Sequence, residues 1–111
     1  MTDYLPLPGT PVEELDTPCI VVDLDAAESN IAKLQAAANE MGVDVRPHSK
    51  TNKSPYWVRK QLAAGAIGVC CAKVGEAEVM VEAGVPEVMI PNQVIGKRKI
   101  ARLVALARSA S

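Results

Sequence analysis

The residues best suited to chemistry in this chain lie in one run, Arg46-Pro47-His48-Ser49-Lys50-Thr51-Asn52-Lys53. Val43-Asp44-Val45 before it alternates apolar and polar, as a β-strand does. Ser54-Pro55 after it reads as the start of a helix. A lysine just past a strand, in a strand-to-helix loop, sits where α/β barrels build active sites. Lysine also forms Schiff bases with carbonyl compounds. Such an amine must be neutral for part of the time, and burial or nearby positive charge favours that state. Arg46 and Lys53 supply charge close by in sequence, and a barrel mouth would supply the burial. His48 and Lys50 are two apart, so on a continued strand both would point to one face and His48 could contact a cofactor or substrate.

The carbonyl cofactor that fits this chemistry is pyridoxal 5′-phosphate, an electron sink for a carbanion at Cα. The ordinary reading of a lysine after a strand is a solvated side chain, and of a lone histidine a structural one. Lys53 is a second candidate for the Schiff base but lies closer to the helix. Lys73, at the comparable place after the next strand, suits a phosphate or carboxylate contact better. Competing chemistries find little. Gly65-Ala66-Ile67-Gly68 precedes a strand rather than following one, so it is no phosphate loop. There is no nucleophile elbow and no cluster of metal ligands. Glu76 and Glu78 are two apart on a helix, do not face each other, and read as surface charges.

These residues must be positioned by repeated strand–helix units. Residues 19–22 read as a β-branched strand after Thr17-Pro18, and a helix follows, with Asp25 and Glu28 at capping-box spacing. Ile31, Leu34, Ala38 and Met41 would form its apolar face. Strand 43–47 leads to the lysine loop and to a helix from Ser54 to Gly65. Strand 66–71, a helix over 75–83, strand 87–90 and a last helix over 96–108 follow. That last helix would bury Ile100, Leu103, Val104 and Ala107. Helix-Gly-strand junctions recur at Gly42, Gly65 and Gly84. The alternation predicts βαβ units and a parallel sheet, and the apolar runs 68–70 and 88–90 predict strands buried on both faces. Only three to four βα units are present, whereas a closed (β/α)8 barrel takes about 250 residues. The expectation is therefore the first part of a barrel, cut short: an extended N-terminal arm over 1–16, then a partial barrel over 17–111.

Composition excludes several classes. With 111 residues and a net charge of -1 there is no basic stripe for nucleic acid. The basic residues near the end, Lys97, Arg98, Lys99, Arg102 and Arg108, read as the solvated face of a helix. No run of about 18 apolar residues indicates a membrane span. No signal pattern opens the chain, so a cytoplasmic location is expected. Three cysteines, Cys19, Cys70 and Cys71, show no CxxC spacing, which argues against a disulfide framework or zinc site.

The chain resembles the D-threonine aldolase and D-serine dehydratase-like family. The resemblance rests on Thr17-Pro18, Val22-Asp23-Leu24-Asp25, Asn30-Ile31, Arg46-Pro47-His48-Ser49-Lys50-Thr51 and Lys53-Ser54. Gly68-Val69-Cys70-Cys71-Ala72-Lys73-Val74 with Glu76-Ala77-Glu78 is most similar to the 3-hydroxy-D-aspartate aldolase branch. This implies a fold-type III pyridoxal phosphate enzyme with an alanine-racemase-like barrel and a separate β-rich C-terminal domain. It implies that Lys50 binds the cofactor; His48, Arg46 and Lys73 remain the further candidate site residues of the reading above. It implies cleavage of the Cα–Cβ bond of a D-β-hydroxy amino acid to glycine plus an aldehyde or glyoxylate, with a divalent metal (Mg or Mn) assisting. Dehydratases of the family lose water or ammonia instead. Many aldolases carry a second histidine two residues after the lysine, where this chain has Asn52. The family's phosphate loops, metal ligands and C-terminal domain would lie beyond residue 111, so this stretch alone is expected to be inactive. A homodimer is expected of the full-length protein. The alternatives are a D-serine or D-3-hydroxyaspartate dehydratase and a non-catalytic truncated α/β module.

Overall fold

The structure, a computed structural model, describes residues 5–109. Its regular elements are α1 (Leu24–Met41), α2 (Pro55–Ala64), β1 (Val69–Cys70), α3 (Val74–Glu82), β2 (Val88–Met89) and α4 (Lys97–Ser109). Short 3-10 turns occupy Val12–Glu14 and Ser49–Thr51. No described helix is long and apolar enough to cross a membrane.

Each of the first three helices ends the same way. Gly42 and Val43 donate to Asn39 and Ala38, Gly65 and Ala66 to Leu62 and Gln61, and Gly84 and Val85 to Val81 and Met80. This paired bonding needs a left-handed residue at the turn, and glycine takes φ of +68° at Gly42 and +74° at Gly84 without a Cβ penalty. The recurring glycines therefore mark one repeated device that reverses the chain from helix to strand. The start of α1 lies two residues earlier than the capping-box spacing suggested. Asp23, not Asp25, is the N-cap, and its Oδ1 accepts from the Ala26 amide at 2.9 Å.

β1 and β2 pair in parallel, Val69 with Val88 and Cys70 with Met89. The segment over 43–48 joins the other edge of β1, where Ile67 donates to Val45 at 2.9 Å and Cys70 to Pro47 at 2.8 Å. A parallel bridge links His48 to Cys70. Pro47 has no N–H to return, which keeps this expected strand to a bridge rather than a regular ladder. The expected strand over 19–22 is absent. No described strand lies beside it, and Ile20 is 94% exposed.

The core lies on one face of the sheet. Val58 of α2, Val69 and Cys71, Ala77 and Met80 of α3, and Val85 are buried together, with Leu62, Val88, Ile90 and Leu106 packed against them. Alternation along the strands turns Arg46, His48, Gly68, Cys70 and Met89 to the opposite face. No described helix covers that face, so Met89 is 49% exposed and the expectation of strands buried on both faces is not met here. Two helix faces also differ from expectation. In α1 the buried residues are Gln35 and Ala38, while Leu34 and Met41 are exposed. Gln35 turns inward because it packs over Gly65, where an added Cβ would stand 3.2 Å from its side chain. In α4 Leu106 takes the place beside the core, and Ile100 and Val104 are largely exposed.

Glu78 is not a free surface charge. Arg102 of α4 donates to both of its carboxylate oxygens, with the Nε contact at 2.8 Å, and ties α3 to α4. The guanidinium holds the Glu78 carboxyl below the usual carboxylate range, chiefly through the hydrogen bonds. A carboxyl lowered on folding stabilises the fold above its unfolded pKa, and the contribution disappears as pH falls through the lowered folded value. The pair is exposed, so the effect is small. Wild type should exceed Glu78→Gln slightly in urea midpoint at neutral pH, and the gap should close below about pH 4. A gap unchanged from pH 7 to pH 3 would show that the pair does not act this way.

Candidate active site

Three strand ends converge on one edge of the sheet: His48 ending the first segment, Cys71-Ala72 after β1, and Ile90-Pro91 after β2. Loops at the C-terminal ends of parallel strands are where α/β folds place ligands. Lys50 sits in the middle of the 3-10 turn Ser49–Thr51 at this edge and is exposed. The two-residue alternation expected to align His48 with Lys50 therefore stops at Ser49, where the chain begins to turn. His48 is instead the residue that caps this turn. Its Nδ1 accepts the Lys50 backbone N–H at 3.3 Å, which places the ring proton of the neutral imidazole on Nε2.

Ser49 anchors the turn to the sheet. It is buried, its Oγ donates to the Cys70 carbonyl at 3.2 Å, and it contacts Cys71 Sγ at 3.5 Å. Sequence reasoning passed over it. The signal was a small polar residue between two candidate site residues, where the side chain after an outward-facing strand residue must face the core. Asn52 accepts the Ser54 N–H at 3.0 Å, so its amide shapes the entry to α2. Lys53 adopts a left-handed φ of +50° and its N–H bonds Ser49 at 2.6 Å, closing the loop.

The other predicted residues are dispersed around this turn. Arg46 crosses the sheet to Glu87, donating to its carbonyl at 2.5 Å with its carboxylate at 3.8 Å. Lys73 is the N-cap of α3 and, with Lys53, Gly75, Glu76, Val79 and Met80, lines a cavity of about 240 Å³ that Lys50 does not reach. Glu76, expected on the surface, is half-buried and accepts the Ala72 N–H at 2.7 Å, fixing the loop after β1. Asn92 reaches the Ala72 carbonyl at 2.8 Å and joins the loops after β1 and β2. Among the described residues no group of three or more His, Cys, Asp or Glu could hold a metal.

Lys50 has no carboxylate within ion-pair distance among the described residues. An exposed primary amine without a salt bridge is able to condense with an aldehyde. The cysteines are less suited to chemistry. Cys70 is half-buried on the open face and Cys71 is in the core, where burial pushes its thiol pKa up. Cys71 should react with a neutral disulfide reagent at pH 8 at least about tenfold more slowly than exposed Cys19. Equal rates would contradict the packing described around Cys71.

Residues 22–107 match the alanine racemase, N-terminal domain family. A D-threonine aldolase of Arthrobacter sp. is 46% identical over 103 residues, which is 93% of this chain and 27% of that protein. A 3-hydroxy-D-aspartate aldolase of Paracoccus denitrificans is 40% identical over 108 residues, 96% of this chain and 28% of that protein. The crystal structure of D-threonine aldolase from Filomicrobium marinum superposes with a TM-score of 0.83 at 47% identity, covering 86% of this chain and 26% of that one. The chain thus spans about a quarter of the length of the relatives it matches. It corresponds to the N-terminal part of a fold-type III pyridoxal phosphate barrel.

Proposed function

This chain belongs to the alanine racemase, N-terminal domain family, and from that premise we propose that the full-length protein is a pyridoxal phosphate-dependent lyase cleaving the Cα–Cβ bond of a D-β-hydroxy amino acid. The observation that carries the reading is Lys50, an amine without an ion-pair partner among the described residues, held on a capped turn at the C-terminal ends of parallel strands. The aldolase names of the relatives at 46% and 40% identity support the reaction class. The substrate is of the D-threonine or 3-hydroxy-D-aspartate type, the products being glycine with an aldehyde or glyoxylate.

The donor set fits the cofactor's aldehyde. Lys50 would hold it through its ε-amine; Lys73 lines a separate cavity and would meet a phosphate or carboxylate only if the cofactor extends that far. The bound cofactor would supply an electron sink for the pair left on Cα when the bond to Cβ breaks. The chain's own residues do the positioning. Ser49 pins the turn to β1, so the Lys50 backbone cannot slide along the sheet edge. With Nδ1 occupied by the Lys50 amide, His48 offers Nε2 to whatever lies on the open face. A divalent metal, Mg or Mn, would be held by residues outside this chain, as would the rest of the barrel. An N-terminal arm over 1–16 and a partial barrel over 17–111, of which residues 1–4 and 110–111 lie outside the described residues, a homodimeric assembly and a cytoplasmic location belong to the same reading.

Product analysis tests it. The full-length protein, incubated with pyridoxal phosphate and either D-threonine or 3-hydroxy-D-aspartate, should release glycine with acetaldehyde or glyoxylate. Release of an oxo acid and ammonia instead would overturn the aldolase reading in favour of a dehydratase. Turnover of neither substrate class would favour the non-catalytic module.

A further inference from the structure

Arg46 makes the contacts of greatest reach across this sheet. It sits on the segment that carries His48 and Lys50, yet its guanidinium passes over β1 and binds the residue just before β2. Nη1 donates to the Glu87 carbonyl at 2.5 Å, and Nη2 lies 3.8 Å from the Glu87 carboxylate. The same carbonyl accepts the Val69 N–H at 3.1 Å, so one oxygen gathers all three adjacent segments. The path over β1 exists because residue 68 is glycine. A Cβ there would stand 2.2 Å from Arg46 Nη1 and 2.3 Å from the Glu87 oxygen, closer than atoms approach. Glu87 itself takes a left-handed φ of +53°, a conformation a non-glycine residue keeps only when its surroundings hold it. The Glu87 carboxylate is the more distant partner and its side chain is 73% exposed, so the contact that counts is the one to the backbone carbonyl.

We propose that Arg46 is a positioning residue, a latch that holds the segment bearing His48 and Lys50 in register with β1 and β2 across Gly68. This rests on Lys50 being the cofactor lysine. The need for a latch follows from the weak pairing of that segment. Pro47 donates no hydrogen bond, and the segment shares two backbone bonds with β1. Arg46 adds a charge-assisted bond at the start of the strand, and Ser49 adds a neutral one at its end. Between those two fixed points lies His48, with Lys50 one residue beyond. Release of the Arg46 end lets the segment shift along β1, and a displacement of about 1 Å at a reacting group costs on the order of 100-fold in rate.

The test uses the full-length protein with Arg46→Gln, Arg46→Lys and Gly68→Ala. Amide exchange at Ile67 and Cys70 reads the register of the segment whether or not the protein is a lyase, because these two N–H groups bond to Val45 and Pro47. Exchange at both should accelerate about tenfold in Arg46→Gln and in Gly68→Ala, with the amides of α2 unchanged. In kinetics with pyridoxal phosphate, kcat of Arg46→Gln should fall about 10- to 100-fold while KM changes less than threefold, and Arg46→Lys should recover part of kcat. Wild-type exchange at Ile67 and Cys70 in Arg46→Gln overturns the latch. So does a kcat, per folded molecule, equal to wild type, which leaves Arg46 a role in stability alone. A wild type that lacks the lyase activity and shows no adduct at Lys50 is the separate failure of the functional reading, and the exchange data still decide whether the latch exists.

Discussion

Lys50→Ala in the full-length protein is expected to lower kcat by on the order of 10³-fold or more, the scale of loss when a covalent catalytic side chain is removed. The turn that carries Lys50 should survive the change. Its bonds come from the Ser49 and Thr51 hydroxyls, the His48 ring and backbone groups of residues 48–53, not from the Lys50 amine. Folding and stability should therefore stay near wild type while activity is lost. Lys53→Ala is the informative neighbour, because Lys53 lies at the end of the loop and lines the separate cavity beside α3. It should cost less than tenfold. Parallel kcat measurements on the two variants, with circular dichroism to verify folding, separate the candidates. Full activity in Lys50→Ala would end the assignment.

Met80→Ala should be the most damaging single truncation in the core. Met80 is 2% exposed and packs with Val58, Val69, Cys71, Ala77 and Val85, joining α2, β1 and α3. Truncation removes its transfer free energy and leaves a cavity bounded by helices and sheet that cannot collapse freely, for a loss of about 2–5 kcal/mol. Against a total stability of about 5–15 kcal/mol this is a large fraction. With a urea dependence of about 1–3 kcal/mol/M, the midpoint should fall by roughly 1–2 M. Val79 is one residue earlier on the same helix and largely exposed, so Val79→Ala should stay within about 0.5 kcal/mol. Equal midpoints for the two variants would refute the core described.

Helices and their ends were legible in the sequence because their signals are local. Ser54-Pro55 opens α2 and Gly42, Gly65 and Gly84 terminate three helices through one bonding pattern. The parallel order of β1 and β2 was likewise implied by the alternation of elements. Features that depend on distant partners were not legible. The strand expected over 19–22 has apolar, β-branched residues but no neighbouring strand among the described residues. The rotation of α1 that buries Gln35 is set by Gly65, thirty positions away in sequence. Within the candidate site, Lys50 and His48 were found by residue type and position after a strand. The 3-10 turn that separates their orientations was not, since Ser49-Lys50-Thr51 carries no strong turn signal and the turn follows from the Ser49 anchor on Cys70. In sequence Arg46 is a charge near Lys50; its path to Glu87 depends on the absence of a side chain at Gly68. Helix position alone makes Glu76 a surface charge, whereas its carboxylate caps the loop before its own helix.

On the proposed function, Lys50 carries the cofactor. The measurement that tests it most directly is borohydride reduction of the full-length protein loaded with pyridoxal phosphate, followed by proteolysis and mass mapping of the modified peptide. Reduction converts a carbon–nitrogen double bond to a stable amine, so the site of attachment is preserved through digestion. A single pyridoxyl group on Lys50 is the predicted result. A group on Lys53, Lys73 or a lysine elsewhere in the protein, or no modification at all, would contradict it.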